Sequence, residues 1–268
     1  MIDLGDRHPL DEATVGSFRA RGHAVVRGLA SPSELAELAP PIVELGTTHA
    51  WDTRPLEERD TYGKAFLQSF NLHRADERIR TFVFAPRFAE VAARLLGVQS
   101  VRLYHDQGLF KEPGGGPTPW HQDGFYWPLP AERMVTMWMP LVDVPPEIGT
   151  MTFASGSHLL TDLRGTRISD ESQELFASEL RARGLPLDSH GPLAAGDATF
   201  HAGWVVHSAP GNPTDRMRPV MTVIYVDADA RVADVIRPGQ ELDHEVWIGG
   251  LAPGSPLGDR RNPVLWPV

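Results

Sequence analysis

Residues 120–123 read WHQD, and residues 207–218 read HSAPGNPTDRMR. In an extended strand, side chains two positions apart point to the same side of the chain. His121 and Asp123 can therefore reach one metal ion together, while Gln122 points away. His207 lies far along the chain and must come from a different strand brought alongside. This spacing fits a jelly-roll barrel, in which strands distant in sequence meet in the interior.

The chemistry of these three side chains restricts the kind of metal site that they could form. Two imidazoles and one carboxylate on one face of a divalent ion leave three positions open, as in the facial triad of non-haem Fe(II) oxygenases. A His-x-Asp pair is weak evidence by itself, since a chain with 11 histidines contains one about once by chance. The arginine eleven positions after His207, Arg218, strengthens the interpretation, because such a site would hold the carboxylate of 2-oxoglutarate there.

Several neighbouring residues compete for these roles. His201 is an alternative to His207. Otherwise it contacts a metal ligand, lines the substrate side of the site or packs as a hydrogen-bonded core histidine. Arg216 shares strand parity with Arg218 and is the alternative anchor for the carboxylate. Of three polar residues on one face of the preceding strand, we favour Gln107 as a cosubstrate contact. The other two are His105 and Lys111.

The pattern of apolar runs predicts many strands with few helices between them, which indicates a sandwich or barrel. Predicted strands span Val101–Lys111, Met134–Val144, Gly149–Ala154, Asp197–Ser208 and Val220–Asp227. Predicted helices span Leu10–Ala20, Ser31 to about Leu45, Pro86–Gly97 and Asp170–Arg183. Residues 48–82 are polar and irregular, and we expect either a lid at the edge of an active site or a solvated connector.

Composition bounds the class of protein. The 268 residues favour one domain over residues 1–268, with helices at about 10–97, a barrel core at about 101–230 and a tail at 231–268. Absence of cysteine excludes a disulfide, a thiolate metal site and a catalytic thiol, and it suits the cytoplasm.

No apolar run predicts a membrane span or a signal peptide. A net charge of −10 argues against a nucleic-acid partner and disfavours a phosphate-rich substrate, and we expect a monomer or homodimer.

At this point the chain resembles the phytanoyl-CoA dioxygenase family of 2-oxoglutarate-dependent oxygenases. The similar blocks, in family order, are residues 18–29, 109–114, 120–128, 138–143, 149–151, 156–158, 196–197 and 207–218. After His207 the family pattern is matched by Asn212, Thr214 and Arg218, whereas Ala209 stands where a small hydroxyl residue is usual. His158 closes one of these blocks and is expected to be structural.

The resemblance implies a mainly β protein with flanking helices, built on a double-stranded β-helix of the jelly-roll, cupin-like kind. It implies Fe(II) held by His121, Asp123 and His207, with 2-oxoglutarate as cosubstrate. Arg218 is expected to pair with the distal carboxylate of 2-oxoglutarate, and Trp138 matches a family tryptophan near that cosubstrate.

Aromatic residues beside the metal motif suggest a compact, partly apolar substrate. The expected substrate-pocket residues, each with core packing as its alternative, are Phe125, Tyr126, Trp127, Trp204 and His201. The expected reaction is hydroxylation of a small-molecule metabolite by O2, within natural-product tailoring. Desaturation, epimerisation or cyclisation would use the same ligands, and the carboxylate of Asp123 argues against chlorination. Two other classes stay open: a cupin-like metal enzyme without 2-oxoglutarate would place Arg218 outside the metal cavity, and in a non-catalytic ligand-binding barrel the three ligands would not converge.

Overall fold

A computed structural model describes residues 4–267 of the chain. The helices are α1 Glu12–Arg21, α2 Pro32–Thr48, α3 Glu77–Val83, α4 Pro86–Leu96, α5 Asp170–Arg183 and α6 Glu241–Val246. The strands are β1 His23–Val26, β2 Leu67–Phe70, β3 Val101–Lys111, β4 Thr118–His121, β5 Met134–Pro140, β6 Thr152–Ala154, β7 Leu187–Ser189, β8 Ala198–Ala202, β9 His207–Ala209, β10 Arg218–Asp227 and β11 Val264–Trp266. Across these described residues, no helix is both long and apolar enough to cross a membrane.

The strands form two antiparallel sheets within residues 4–267. The larger sheet has seven strands in the order β1-β8-β5-β10-β3-β11, with β2 also paired to β3. The smaller has four strands in the order β4-β9-β6-β7. Side chains from both sheets, including Trp138 of β5, Phe153 of β6 and Val220 of β10, pack into one apolar cluster between them. The expected fold class, a mainly β jelly roll with flanking helices, is confirmed.

Side chains of strand β10 pack on both faces of the larger sheet. Met221, Val223 and Tyr225 point outward into the core shared with helices α1–α4. The intervening Val220 and Thr222 point inward, toward the small sheet and the cavity between the sheets. Because side chains alternate along a strand, a strand covered on both faces is buried throughout, as β10 is.

Local signals mark the start of α2 and the end of α4 where the sequence predicts them, whereas α2 continues to Thr48, beyond the expected Leu45. Ser31 caps α2 by accepting a hydrogen bond from the Glu34 backbone, while the Glu34 carboxylate accepts one from the Ser31 backbone at 2.7 Å. Helix α4 ends at Gly97, whose φ of 71° suits glycine. The predicted bounds of β3 and α5 are those observed.

The predicted single strand Asp197–Ser208 is wrong. It is two strands, β8 in the larger sheet and β9 in the smaller, joined by a turn at Gly203. A Cβ on Gly203 would lie 2.5 Å from the Trp127 ring, so only glycine fits where the chain crosses between sheets. An apolar run gives no indication of such a crossing, because both halves are buried.

Two further boundaries differ from expectation. The strand predicted to reach Val144 ends at Pro140, which has no N–H for the ladder. Residues 48–82 contain β2 and α3, and both β1 and β2 join the larger sheet. The N-terminal part, expected as helices at about 10–97 packed on the barrel core of one domain, therefore also contributes two strands to the larger sheet, and the single-domain assignment stays a prediction.

Candidate metal centre and active site

His121, Asp123 and His207 converge at the open end of the smaller sheet. His121 ends β4 and His207 begins β9, and the two residues are direct partners in the antiparallel pair. Their ring centroids lie 4.1 Å apart. The Nε2 atoms of His121 and His207 lie 3.5 and 3.7 Å from Oδ1 of Asp123. One ligand atom from each residue lies within 4.8 Å of the other two, which is close enough to surround a single ion.

Asp123 reaches this point from a turn, and the expectation that it shares a regular strand with His121 is wrong. It begins a 3-10 turn, Asp123–Phe125, directly after the buried Gln122. The Gln122 side chain donates to the Trp204 carbonyl at 2.7 Å, and the Gly124 backbone donates to the Gly203 carbonyl at 2.7 Å. These bonds anchor the turn to the β8–β9 crossing, so the carboxylate is held against the two histidines.

Backbone carbonyls fix the imidazole tautomers. His121 Nδ1 lies 2.8 Å from the Pro119 carbonyl, and His207 Nδ1 lies 3.1 Å from the Val205 carbonyl. A carbonyl oxygen only accepts, so each Nδ1 carries the proton and each Nε2 presents a lone pair to the centre. Metal-binding histidines are commonly oriented by such a bond to the second ring nitrogen.

The Asp123 carboxylate is held through its other oxygen. Thr136 Oγ1 donates to Oδ2 at 2.9 Å, and His201 Nε2 lies 3.1 Å from the same atom. Both neighbours come from adjacent strands of the larger sheet, where Thr136 and His201 are register partners. Oδ1 is thus left facing the two Nε2 atoms, which is the arrangement for single-oxygen ligation.

The protonation states suit a cation. Burial would raise the pKa of Asp123, but interactions with His207, His121 and His201 outweigh it and hold that pKa well below its ordinary value. Burial, together with repulsion from His121 and His201, lowers the pKa of His207 well below its ordinary value. At neutral pH the site therefore offers an ionised carboxylate and a neutral imidazole. Two nitrogens and one oxygen, with open positions toward a cavity, fit Fe(II).

The three side chains line a cavity of about 930 Å³. The lining residues come from β2, β3, β5, β8 and β10 of the larger sheet and from β4 and β9 of the smaller one. The rest of the lining includes residues 51–66, 167–171 and 242–247. The volume lies within the range of small-molecule sites. The expectation that residues 48–82 form an edge of the active site agrees with this lining, whereas their motion as a lid stays a prediction.

Arg218 points into this cavity from the start of β10. It is 1% exposed, and burial lowers its pKa to about 10, so it keeps its charge at neutral pH. Nη1 donates to the Gly149 carbonyl at 2.5 Å, the guanidinium lies 5.2 Å from the Trp138 ring, and Nε has no partner among the described residues. Arg216 is exposed and lines a separate shallow surface pocket. A buried arginine without a carboxylate is the complement that an anionic ligand needs.

Of the other residues considered as contacts for 2-oxoglutarate, some line the cavity and one does not. Trp138 and Gln107 line the cavity, and Gln107 accepts a hydrogen bond from Gln68 at 2.7 Å. Lys111 is buried outside the lining, where its Nζ donates to the Gly116 carbonyl. Burial and the nearby Arg218 lower the pKa of Lys111 to about 7.

Two of the shared motif residues have structural roles that the sequence does not indicate. The Asn212 amide donates to the carbonyls of Lys111, Glu112 and Arg216, which closes the loop before β10. The Thr214 hydroxyl donates to Asn212 Oδ1 at 2.7 Å within the same loop. His158, expected to be structural, lies 3.2 Å from the Arg19 carbonyl through Nε2.

Of the five expected substrate-pocket residues, Tyr126, Trp127 and His201 line the cavity. Phe125 and Trp204 are not among the lining residues, and their role in binding substrate stays a prediction. Trp204 is 4% exposed and packs in an apolar cluster with Trp127, and the Phe125 ring abuts Gly239. The sequence alone does not show whether an aromatic residue near a site lines the cavity or packs in the apolar core.

The sequence does not single out several other lining residues. They include Tyr62, Phe66, Phe70, Asp243 and Trp247, of which the first three lie in the region expected as an edge of the site. Residues 242–247 lie in the tail, far from any motif, and only the end of the chain folding back over the barrel brings them here.

Comparison with known proteins agrees with this geometry. The family profile described as Phytanoyl-CoA dioxygenase (PhyH) matches residues 18–220. A probable alpha-ketoglutarate-dependent hypophosphite dioxygenase of Stutzerimonas stutzeri is 23% identical over 221 residues, covering 78% of this chain and 76% of that protein.

Solved structures extend the similarity over nearly the whole chain. The non-heme alpha ketoglutarate dependent epimerase SnoN from nogalamycin biosynthesis, in complex with Fe3+, alpha ketoglutarate and nogalamycin RO, is 30% identical with a TM-score of 0.77. That match covers 95% of this chain and 98% of SnoN. The carbocyclase SnoK from the same biosynthesis is 26% identical with a TM-score of 0.77, covering 97% and 99%. The chain therefore belongs to the phytanoyl-CoA dioxygenase family of Fe(II)/2-oxoglutarate-dependent oxygenases.

Proposed function

We propose that this protein is an Fe(II)/2-oxoglutarate-dependent oxygenase that oxidises a small-molecule metabolite. The observation that carries the proposal is one cavity lined by both the His121–Asp123–His207 cluster and the buried, carboxylate-free Arg218. A cupin-like enzyme without 2-oxoglutarate would have no use for that arginine, and a non-catalytic barrel would have no use for the converged ligands.

The roles of the side chains follow from their geometry. His121 and His207 would bind Fe(II) through Nε2, and Asp123 through Oδ1, while Thr136 and His201 hold Oδ2. Arg218 would bind the distal carboxylate of 2-oxoglutarate, beside Trp138 and Gln107. When bound, iron and 2-oxoglutarate supply the oxidation of a C–H bond by O2, with succinate and carbon dioxide as coproducts.

The protein's own side chains would position 2-oxoglutarate and exclude water from the substrate. The Trp138 ring beside the guanidinium restricts where a carboxylate can approach Arg218. Tyr126 and Trp127 line the cavity beside the metal cluster and would keep water from the substrate. Preorganised contacts of this kind avoid reorganisation at the moment of reaction.

We infer hydroxylation as the default outcome, within natural-product tailoring. Similarity to an epimerase and a carbocyclase of nogalamycin biosynthesis supports the tailoring context. It also keeps epimerisation and ring closure as alternatives, because both use the same ligand set. Asp123 occupies the position that a halide would need, which disfavours chlorination.

Anaerobic titration with Fe(II) and 2-oxoglutarate tests the proposal. The ternary complex should develop a visible charge-transfer band, and later addition of O2 should release succinate. Iron binding without the band would support the cupin-like alternative, and no iron binding would support the ligand-binding barrel.

Three further expectations are part of the proposal. The absence of cysteine supports a cytoplasmic location. Packing of helices α1–α4 against the larger sheet in one core supports a single domain over residues 1–268. The negative net charge supports a small-molecule partner over nucleic acid, and the monomer or homodimer state stays a prediction.

A further inference from the structure

Asp243 is a buried carboxyl group on the cavity wall that the proposed iron chemistry does not use. It lies in α6, is 9% exposed, and lines the same cavity as the metal cluster. The Tyr104 hydroxyl donates to its Oδ2 at 2.7 Å, and the Trp247 side chain adds a second hydrogen-bonding interaction. No lysine, arginine or histidine among residues 4–267 forms an ion pair with it.

Its environment is unfavourable for a carboxylate without a cation. Burial raises the pKa of Asp243 to about 7, even though its two hydrogen-bonding neighbours lower it, and the charge of Asp123 raises it further. A buried charge is strongly disfavoured unless it is paired. A cation that entered the cavity at this wall would supply the missing partner.

Three adjacent aromatic rings border the same part of the cavity. Trp247 lies 5.2 Å from Phe70 and 4.8 Å from His105, centroid to centroid, and Phe70 lies 6.0 Å from His105. Burial lowers the pKa of His105 to about 3, so this ring adds no positive charge, and its buried Nδ1 has no partner among the described residues. Asp243 and Trp247, four positions apart, lie on the same side of the chain at α6.

We propose that Asp243 and these three rings bind a protonated or quaternary amine of the substrate. Aromatic faces attract cations, and desolvation strengthens the attraction. A substrate carboxylate would be repelled here, whereas a cation would stabilise the ionised form of Asp243, which a neutral hydroxyl cannot do. The inference rests on the proposed function, because the amine would anchor a substrate whose remaining part extends toward His121, Asp123 and His207.

Two members of this site lie outside the part of the chain that matches the family profile. Asp243 and Trp247 lie beyond residues 18–220, the part that matches the family profile. The tail thus supplies the amine-binding group, while the barrel supplies the metal ligands.

A pair of probes of equal shape tests the proposal. Choline carries a permanent positive charge, and 3,3-dimethylbutan-1-ol is its uncharged isostere. In ligand-observed NMR titrations of the full-length protein, choline should bind about 10-fold more tightly than the alcohol. Asp243→Asn, which keeps an oxygen for the Tyr104 hydroxyl, should reduce the difference, because it removes the carboxylate charge and leaves only the rings to favour the cation. Glu245→Gln removes an exposed acid two positions away on α6 and should retain the difference.

A second measurement does not depend on any variant folding. Nuclear Overhauser effects in the wild type should connect the choline methyl protons to the Trp247 indole protons. Equal binding of the two probes, a preference that is undiminished in Asp243→Asn, or methyl contacts elsewhere would each overturn the proposal.

The result is separable from the test of the proposed function. A wild-type charge-transfer band without a choline preference would contradict the amine site alone. A choline preference without the band would contradict the oxygenase function and leave amine binding standing.

Discussion

The two sides of the cavity are built in different ways. The metal wall, which we define as His121, Asp123, Thr136, His201 and His207, belongs to paired strands and one anchored turn. The outer wall, residues 51–70 and 242–247, consists largely of loops, one short strand and one short helix. In the metal wall, backbone carbonyls orient His121 and His207, and Thr136 and His201 hold Oδ2 of Asp123, whereas the outer wall holds a buried carboxyl without a cation.

This difference separates the residues that bind the metal from those that would select the substrate. Ligand atoms must hold their positions to within fractions of an ångström, so they lie on elements whose register is fixed by backbone pairing. A surface that selects a substrate can vary in its loops without disturbing those positions. We therefore expect substitutions in the metal wall to affect every turnover, and substitutions in the outer wall to affect only which molecule is bound.

The largest effect should follow from Asp123→Ala. This change removes the single anionic ligand, so Fe(II) binding and 2-oxoglutarate-dependent succinate formation should fall by more than about 100-fold, beyond what loss of an outer hydrogen bond typically causes. Asp234→Ala, an exposed acid outside the cavity, should behave as the wild type.

The same residue predicts the product. With chloride present, mass spectrometry of wild-type products should show no chlorinated species. A chlorinated product would contradict the assignment of Asp123 as a ligand.

Arg218→Ala should give the next largest effect. Loss of a charged hydrogen-bonding partner is worth about 1.5–3 kcal/mol, so the 2-oxoglutarate concentration needed for half-saturation should rise roughly 10- to 150-fold, with Fe(II) binding nearly unchanged. Arg216→Ala is the matched control, since Arg216 is exposed and lies outside the cavity. If Arg216→Ala alone weakened 2-oxoglutarate, the choice between the two arginines would be reversed.

The three metal ligands, and an edge of the cavity within residues 48–82, could be predicted from sequence, whereas Thr136 and residues 242–247 could not. The spacing of His121, Asp123 and His207 carries chemical information because ligand type and order restrict what can bind. The extended backbone expected at Asp123 was wrong because hydrogen bonds from Gln122 and Gly124 to the β8–β9 crossing impose a turn. Asp243 has no local signal, since its burial depends on where the tail packs. Local propensities say nothing about such long-range placement.

Thr136→Val should reduce Fe(II) binding less than Asp123→Ala does, and it tests how the Asp123 carboxylate is held. Valine has nearly the shape of threonine but cannot donate to Oδ2 of Asp123, which leaves His201 alone to orient the carboxylate. Fe(II) affinity, followed by the charge-transfer band, should fall about 10-fold, at the low end of the effects of such outer hydrogen bonds. Thr136→Ser keeps the hydroxyl and should stay near wild type. Unchanged affinity in Thr136→Val would show that His201 is sufficient.

Trp51→Ala should have the smallest effect on stability and tests the looser construction of the outer wall. Trp51 lines the cavity mouth but is 80% exposed, and its backbone N–H, which the change retains, donates to the Gln68 carbonyl at 2.7 Å. In guanidinium unfolding, the free energy of unfolding should stay within about 0.5 kcal/mol of wild type. Trp127→Ala removes a cavity-lining tryptophan that is only 4% exposed, and it should lower that free energy by about 3–5 kcal/mol. A loss above about 2 kcal/mol for Trp51→Ala would mean that its indole is packed in solution, as it would be if residues 48–82 closed over the cavity as a lid.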